Sequence, residues 1–126
     1  MAKILLIDDD RSMHQIVSLF LERSGHHVHS ATSGLAGLQL IALDRPDLIL
    51  LDMGLPGMDG AEILNALKAK PETAGIPVMA FTVYDREDLP QSIDTHRLAG
   101  YLRKPVDMYT LESGVNSALN PTPTLN

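Results

Sequence analysis

The sequence predicts a single α/β domain, with a doubly wound parallel sheet of five strands covered by five helices. Apolar runs of strand length alternate five times with segments of helical period along the 126 residues. The third run, Leu48 to Leu51, has no polar residue at alternate positions, which is typical of a central strand with helices on both faces. The chain length suits one domain with one hydrophobic core.

Composition excludes several classes of protein. The absence of cysteine excludes disulfides, thiolate nucleophiles and cysteine-based zinc sites. The net charge of −6 argues against nucleic-acid binding by this domain, because that contact requires cations to neutralise phosphates. The apolar runs are too short to cross a bilayer and no signal-peptide pattern follows Met1, so we expect a cytoplasmic protein without membrane contact.

The first two strand and helix repeats occupy the first third of the chain. Lys3 to Asp8 is the first strand, and Gly25 ends the helix after it. The buried face of that helix is expected to carry Met13, Ile16, Val17, Phe20 and Leu21. His27 to Ala31 is the second strand, and Ser33 caps a helix that Pro46 closes. That helix is expected to bury Leu35, Leu38 and either Ile41 or Ala42.

The remaining repeats follow the same pattern. The predicted strands are Asp47 to Asp52, Pro77 to Thr82 and Gly100 to Arg103. Between the first two lie a loop from Met53 to Met58, a helix capped by Asp59 that carries Ile63, Leu64 and Leu67, and an exit from Pro71 to Gly75. The fourth helix is predicted to start at Asp88, which puts Pro90 in its first turn. After a Lys104-Pro105 turn, Leu111, Val115 and Ala118 or Leu119 mark the last helix. The domain therefore covers residues 1–119, and residues 120–126 are a flexible tail or the start of a linker.

Polar residues end most of the predicted strands. Asp8 and Asp9 follow the first strand, Asp52 ends the third, Thr82 ends the fourth and Lys104 follows the fifth. Ligands of open α/β sheets bind beyond the carboxyl ends of the strands, so these groups are expected to share one pocket. Carboxylates are the oxygen ligands that Mg²⁺ prefers, while an ammonium and a hydroxyl can stabilise phosphoryl oxygens.

Each of these residues also has an ordinary structural interpretation. Asp10 is expected to be the N-cap of the first helix. Asp52 could form a structural salt bridge with Lys104, and Thr82 could be a simple β-branched strand residue. His27 and His29 lie two apart, but without a third ligand we interpret them as solvated residues of an outer strand.

With these residues assembled, the chain resembles the response-regulator receiver family of two-component signalling, from Lys3 to Leu119. The resemblance rests on Leu5-Leu6-Ile7-Asp8-Asp9-Asp10, on Leu51-Asp52-Met53-Gly54-Leu55-Pro56-Gly57-Met58-Asp59-Gly60, on Thr82, and on Tyr101-Leu102-Arg103-Lys104-Pro105. It implies the flavodoxin-like strand order 2-1-3-4-5 that chemotaxis regulators share.

The resemblance also implies a role for each site residue. Asp52 would be the phosphoacceptor, and Asp8, Asp9, Asp52 and the carbonyl of Gly54 would hold Mg²⁺, with Mn²⁺ as the alternative ion. Thr82 would hydrogen-bond the phosphoryl group and Lys104 would pair with it, aimed inward by a cis peptide before Pro105. Tyr101 would turn inward when Thr82 moves.

The implied function is a phosphorylation switch rather than an enzyme with an external substrate. The phosphoryl donor would be a sensor histidine kinase, a phosphotransfer protein or a small acyl phosphate, and a downstream effector would read the face from the fourth helix to the fifth strand. Two alternatives stay open: a metal-dependent phosphatase or phosphotransferase with an external substrate, and a degenerate receiver that acts only as a scaffold. Val83 stands where the family usually has a smaller residue, and Tyr84 and Gly54 lie where side chains set the rate of phosphate hydrolysis, so the phosphoryl lifetime stays open. Pro90 and the residues 96–99 also depart from the family pattern, so the partner-binding face of that region stays open as well.

Overall fold

The computed structural model describes residues 2–55, 57, 59–89 and 93–120. The strands are β1 (Lys3–Ile7), β2 (His27–Ala31), β3 (Leu48–Leu51), β4 (Val78–Thr82) and β5 (Gly100–Arg103). Among the described residues the α-helices are α1 (Arg11–Arg23), α2 (Gly34–Leu43), α3 (Gly60–Lys68), α4 (Pro71–Ala74) and α5 (Met108–Leu119). All strand pairs are parallel, in the order β2-β1-β3-β4-β5. The predicted fold class, strand order and helix number are confirmed.

The core lies on both faces of the sheet, as the sequence of β3 predicts. Leu48 and Leu50 pack in one cluster with Val17 of α1 and with side chains of α5. Ile49 and Leu51 point the other way, into a cluster with Leu64 of α3. All four side chains of β3 are fully buried, so the strand has helices over both faces.

Side-chain caps fix where the longer helices begin. The carboxylate or hydroxyl of Asp10, Ser33, Asp59 and Asp107 accepts a hydrogen bond from a backbone N–H in the first turn of α1, α2, α3 and α5, respectively. The first three caps are those that the sequence predicts, and Glu62 completes a capping box with Asp59. Gly25 has a φ of +92° just after α1, which agrees with its predicted role as a helix terminator.

The buried face of α2 differs from the prediction. Leu35 is 61% exposed, whereas Gly34, Gly37 and Ile41 are buried and Leu38 is half-buried. A Cβ atom at Gly37 would lie 2.5 Å from Cδ1 of Ile7, so the helix approaches β1 through its glycines. The prediction for Leu35 is wrong because close backbone approach, rather than side-chain size, chose the face that meets the sheet.

The other predicted core positions agree more closely. On α1, Val17 and Leu21 are buried and Met13 and Phe20 are half-buried, but Ile16 is 38% exposed. The three predicted apolar residues of α3 are all buried. On α5, Leu111 and Val115 are buried. The two alternatives at the end of that helix, Ala118 and Leu119, are both half-buried.

The segment between β4 and β5 also differs from the prediction. The described part contains single 3-10 turns at Arg86–Asp88 and Thr95–Arg97. Asp88 ends the first turn instead of starting a helix, and Leu89 is extended with ψ of 144°. The residue before a proline is disfavoured in helical geometry, and Leu89 precedes Pro90, so the prediction placed the helix wrongly.

The fourth α-helix is the short α4, in the segment that the sequence predicts as an exit loop. Pro71 opens it at a first-turn position, where the missing N–H costs nothing. Pro56, Met58, Pro90 and the predicted tail after Asn120 lie outside the described residues.

Candidate functional site

The carboxyl ends of β1, β3 and β5 bring the predicted reactive residues to one edge of the sheet. The N–H of Asp8 donates to the carbonyl of Ala31, and the N–H of Asp52 donates to that of Ile7. The N–H of Lys104 donates to the carbonyl of Thr82. Each of these residues is therefore held at a strand end by a ladder hydrogen bond.

Asp8 is the most enclosed of the acidic residues. Its side chain is fully buried. One carboxylate oxygen accepts the N–H of Asp10 at 2.9 Å, and the other contacts Nζ of Lys104 at 2.5 Å. A buried carboxylate needs such partners, because desolvation penalises an unpaired charge.

Asp52 lies beside Asp8 and is nearly as enclosed, with 8% of its surface exposed. Its Oδ1 accepts the N–H of Gly54 at 2.9 Å, and its Oδ2 lies 3.4 Å from Nζ of Lys104. Burial raises the pKa of the Asp52 carboxyl, and Asp8 raises it further, while Gly54 and Lys104 act in the opposite direction. The ionised carboxylate is thus incompletely compensated by the protein itself.

Asp8, Asp9 and Asp52 together form an acidic cluster. One carboxylate oxygen from each lies within 4.8 Å of the others, with Asp9 exposed and the other two buried. Three hard oxygen donors around an under-compensated carboxylate suit a divalent cation such as Mg²⁺. The residues therefore fit the predicted metal, and an exposed Asp9 leaves the cluster open to solvent.

Lys104 joins the end of β5 to this cluster. The peptide bond between Lys104 and Pro105 is cis, as the resemblance implies. The Lys104 side chain is 11% exposed, and its Nζ lies 5.1 Å from the ring centroid of Phe81. Two carboxylates and one aromatic ring thus hold the ammonium.

Thr82 ends β4 between the ends of β3 and β5. The residue is fully buried, and its Oγ1 accepts the N–H of Tyr84 at 3.3 Å. The hydroxyl of Tyr101 donates to the carbonyl of Tyr84, while the Tyr101 side chain is half-buried. Thr82 and Tyr101 therefore both contact the backbone of Tyr84.

The Tyr84 ring lies next to the loop that follows Asp52. A Cβ atom at Gly54 would lie 3.3 Å from Cε2 of Tyr84 and 3.6 Å from Oδ1 of Asp52. Any larger residue at Gly54 would therefore displace the ring. Gly54 and Tyr84 are thus neighbours at the edge of the acidic cluster.

Sequence reasoning missed two residues around the site. His14 of α1 is buried, and its Nε2 hydrogen-bonds the backbone carbonyl of Asp8 at 2.5 Å. It shares a helix face with Val17 and Leu21, at spacings of three and seven, so its burial was readable from the pattern. Arg103 contacts the carboxylate of Asp85 at 2.9 Å and the carbonyl of Val83 at 3.4 Å, which no local pattern indicates.

Two ordinary interpretations from the sequence are confirmed. Asp10 caps α1 by accepting the N–H of Ser12. His27 and His29 are exposed on β2, an edge strand, and neither belongs to the acidic cluster found in the described part of the chain. Within that same part, no helix has the length and apolarity needed to cross a membrane.

The sequence and the fold are similar to those of known signalling proteins. The family described as the response regulator receiver domain matches residues 4–116. Protein PilH of Pseudomonas aeruginosa is 34% identical over 119 residues, which cover 94% of this chain and 98% of PilH. The DNA-binding dual master transcriptional regulator RpaA of Synechocystis is 37% identical over 97% of this chain, but the chain spans only 51% of RpaA.

The solved structures give the same result. The chemotaxis response regulator CheY4 of Vibrio cholerae superposes with a TM-score of 0.87 and 29% identity, over 94% of this chain and 99% of that one. Acceptance of a phosphoryl group on an aspartate is the function of this family. The protein whose strand ends gather Asp8, Asp9, Asp52 and Lys104 belongs to the response regulator receiver domains of two-component signalling.

Proposed function

We propose that Asp52 is the phosphoacceptor of this receiver and that residues 1–119 form the receiver domain. The observation that carries the proposal is the pair of contacts from Lys104 Nζ to Asp8, at 2.5 Å, and to Asp52, at 3.4 Å. These contacts hold a cation beside a buried carboxylate whose Oδ2 is engaged only by the longer, 3.4 Å contact to that cation. Asp9 is too exposed, and Asp10 is engaged as a helix cap.

Phosphoryl transfer then needs no general base, because an ionised carboxylate is already a nucleophile. An oxygen of Asp52 forms a bond to phosphorus as the bond to the donor breaks, and the leaving group keeps the electron pair. The donor is a phosphohistidine of a sensor kinase or phosphotransfer protein, or a small acyl phosphate. The receiver would thus promote its own phosphorylation and the later hydrolysis of its phosphoryl group, and it would act on no external substrate.

The other site residues would stabilise the transferred group. Asp8, Asp9, Asp52 and the Gly54 carbonyl would hold Mg²⁺ or Mn²⁺, which when bound supplies positive charge to the phosphoryl oxygens. Lys104 supplies a second positive charge, and the Thr82 hydroxyl donates a hydrogen bond once it leaves Tyr84. Preorganised charges of this kind are the main catalytic contribution in phosphoryl transfer.

The output would be read at the β5 side of the sheet. Thr82 and Tyr101 both contact the backbone of Tyr84. Movement of the Thr82 hydroxyl toward a phosphoryl group would release the Tyr84 N–H and shift the hydrogen bond between the Tyr101 hydroxyl and the Tyr84 carbonyl. An effector would bind the surface formed by β5 and the two 3-10 turns before it. We also propose a cytoplasmic location. This domain would not bind nucleic acid, because its net charge of −6 opposes contact with the phosphate backbone.

Intact-mass spectrometry after incubation with acetyl phosphate and Mg²⁺ tests the proposal. The wild type should gain the mass of one phosphoryl group, and Asp52→Asn should gain none. Asp10→Asn is the matched control, since it changes a neighbouring carboxylate outside the cluster and asparagine also caps helices well. A phosphoryl adduct on Asp52→Asn, or none on the wild type, would contradict the assignment.

A further inference from the structure

Helix α2 has an unusual composition for a helix at the protein surface. Its ten residues, Gly34 to Leu43, include a single polar residue, Gln39. A surface helix normally carries polar residues on its outer face, and a helix that is apolar all round is normally buried. The composition of α2 therefore suits a helix with a partner on both sides.

The structure leaves the outer side of α2 uncovered. Leu35 is 61% exposed and Leu43 is 83% exposed, and Gln39 and Ala42 between them are exposed as well. These four residues, at spacings of four, three and one, form one stripe that we call the α2 ridge. Exposed leucines on a helix with a single polar residue are apolar surface of the kind that marks an interaction site.

A groove runs along the α3 side of the ridge. It has a volume of about 400 Å³ and a floor that includes Leu38, Ile41 and Leu67. Three charged residues, Arg45, Lys70 and Glu72, also line it, and Nε of Arg45 donates to the backbone carbonyl of Glu72. The groove is thus apolar inside, and the two cations and one carboxylate at its edge give that edge a net positive charge.

The ridge carries the complementary features. Leu43 is a projecting apolar side chain, and the next residue is Asp44. The Asp44 carboxylate contacts Lys3 at 2.8 Å, but both side chains are half exposed, so water and other cations compete for this ion pair. An apolar projection beside a carboxylate matches an apolar groove whose charged edge is net positive.

We propose that the α2 ridge is a self-association surface that pairs two copies of this chain. A two-fold interface requires one patch to carry both complementary halves, and this surface does so. A two-fold axis near Ala42 would direct Leu43 of each copy to the groove of the other, with each Asp44 near the other copy's Arg45. The contact is small, so we expect a weak dimer in rapid exchange. This proposal is independent of phosphorylation at Asp52.

Sedimentation velocity from low micromolar to millimolar concentration tests the dimer. We expect the wild-type mass to rise from 13.7 kDa toward twice that value, and Leu43→Glu to stay monomeric with an unchanged melting temperature. Tyr109→Glu is the matched control, because Tyr109 is 80% exposed but lies on α5, on the other face of the sheet. A wild type that is monomeric throughout, or equal loss of association in both variants, would overturn the proposal.

Cross-linking and charge exchange test the geometry. The chain has no cysteine, so Ala42→Cys provides a single thiol near the proposed axis and should oxidise to a covalent dimer faster than Tyr109→Cys. Arg45→Glu and Asp44→Lys should each weaken self-association, and an equimolar mixture of the two should restore it. Equal oxidation rates for the two thiols, or no recovery in the mixture, would contradict the α2 interface.

Discussion

The two halves of the functional edge differ in how firmly their residues are held. At the ends of β1 and β3, Asp8 and Asp52 are buried and accept backbone hydrogen bonds from the loops that follow. At the end of β4, Thr82 is buried, but Val83, Tyr84 and the first 3-10 turn are exposed. The ends of β1 and β3, the constrained half, hold the residues proposed for phosphoryl transfer. The segment after β4, which has few buried contacts, holds the residues proposed to respond to it.

Lys104 connects the two halves. It follows β5, yet its ammonium lies among the carboxylates of the other half. The proposed switch therefore has a physical link, since a charge change at Asp52 alters what Lys104 contacts. Changes at Lys104, at the acidic residues or after β4 therefore test whether the two halves differ in this way.

Removal of Lys104 is expected to have the largest effect. Lys104→Met leaves Asp8 and Asp52 without a cation, and breaking a buried ion pair in this way costs about 3–5 kcal/mol. The initial rate of phosphorylation by acetyl phosphate should fall by about 10²-fold, as for loss of one preorganised charged donor. The measurement is the time course of phosphoryl mass gain, with Arg103→Met as the control for loss of a neighbouring cation. A rate within twofold of wild type would remove Lys104 from the mechanism.

Magnesium is expected to stabilise the constrained half. Clustered carboxylates repel one another, so a cation that binds the native state raises stability by about 2.7 kcal/mol at a hundredfold excess over its Kd. The melting temperature should rise with Mg²⁺ and return to its starting value with a chelator. Asp9→Asn should lose most of the shift and Asp10→Asn should keep it. A melting temperature that does not respond to millimolar Mg²⁺ would count against the metal site.

Neutralising Asp52 is expected to stabilise the metal-free protein. The pKa of Asp52 is raised by burial, so the folded state holds a proton more tightly than the unfolded state, and ionisation lowers stability. This loss of folding stability is absent below pH 3.8, the ordinary pKa of the Asp52 carboxyl, and fully present above its raised pKa in the folded state. Asp52→Asn should therefore melt higher than wild type at neutral pH, and the difference should close as the pH falls. A constant difference across this range would show that ionisation is not its cause.

Loosening the segment that follows β4, residues 83–85, is expected to have the smallest effect. The Arg103 side chain is 59% exposed and the Asp85 side chain 50%. Exposed ion pairs of this kind contribute about 0.2–1 kcal/mol to stability. Arg103→Gln and Asp85→Asn should leave the melting temperature nearly unchanged but accelerate amide hydrogen exchange at Val83 and Tyr84. The double variant should exchange no faster than Arg103→Gln alone, because that variant already lacks the contact with Asp85. Additive acceleration would show that the two residues act separately.

Much of the fold was predictable because its signals are local. The caps Asp10, Ser33 and Asp59 and the apolar run of β3 depend on hydrogen bonds or burial patterns within a few residues. Two of the errors had non-local or overlooked causes. Leu35 is exposed because Gly37 packs against Ile7, thirty positions earlier in the chain, and the helix before β5 is misplaced because Pro90 forces Leu89 to be extended.

By itself the sequence determined the alternation of strands and helices, the caps, and which polar residues end the strands. These follow from periodicity and from hydrogen bonds between near neighbours. Only the tertiary structure decided that Lys104 reaches Asp8 across 96 positions, that His14 lies against Asp8, and that α2 turns its leucines outward. Distances between side chains from separate strands depend on the register and packing of the whole sheet, and no local pattern encodes them.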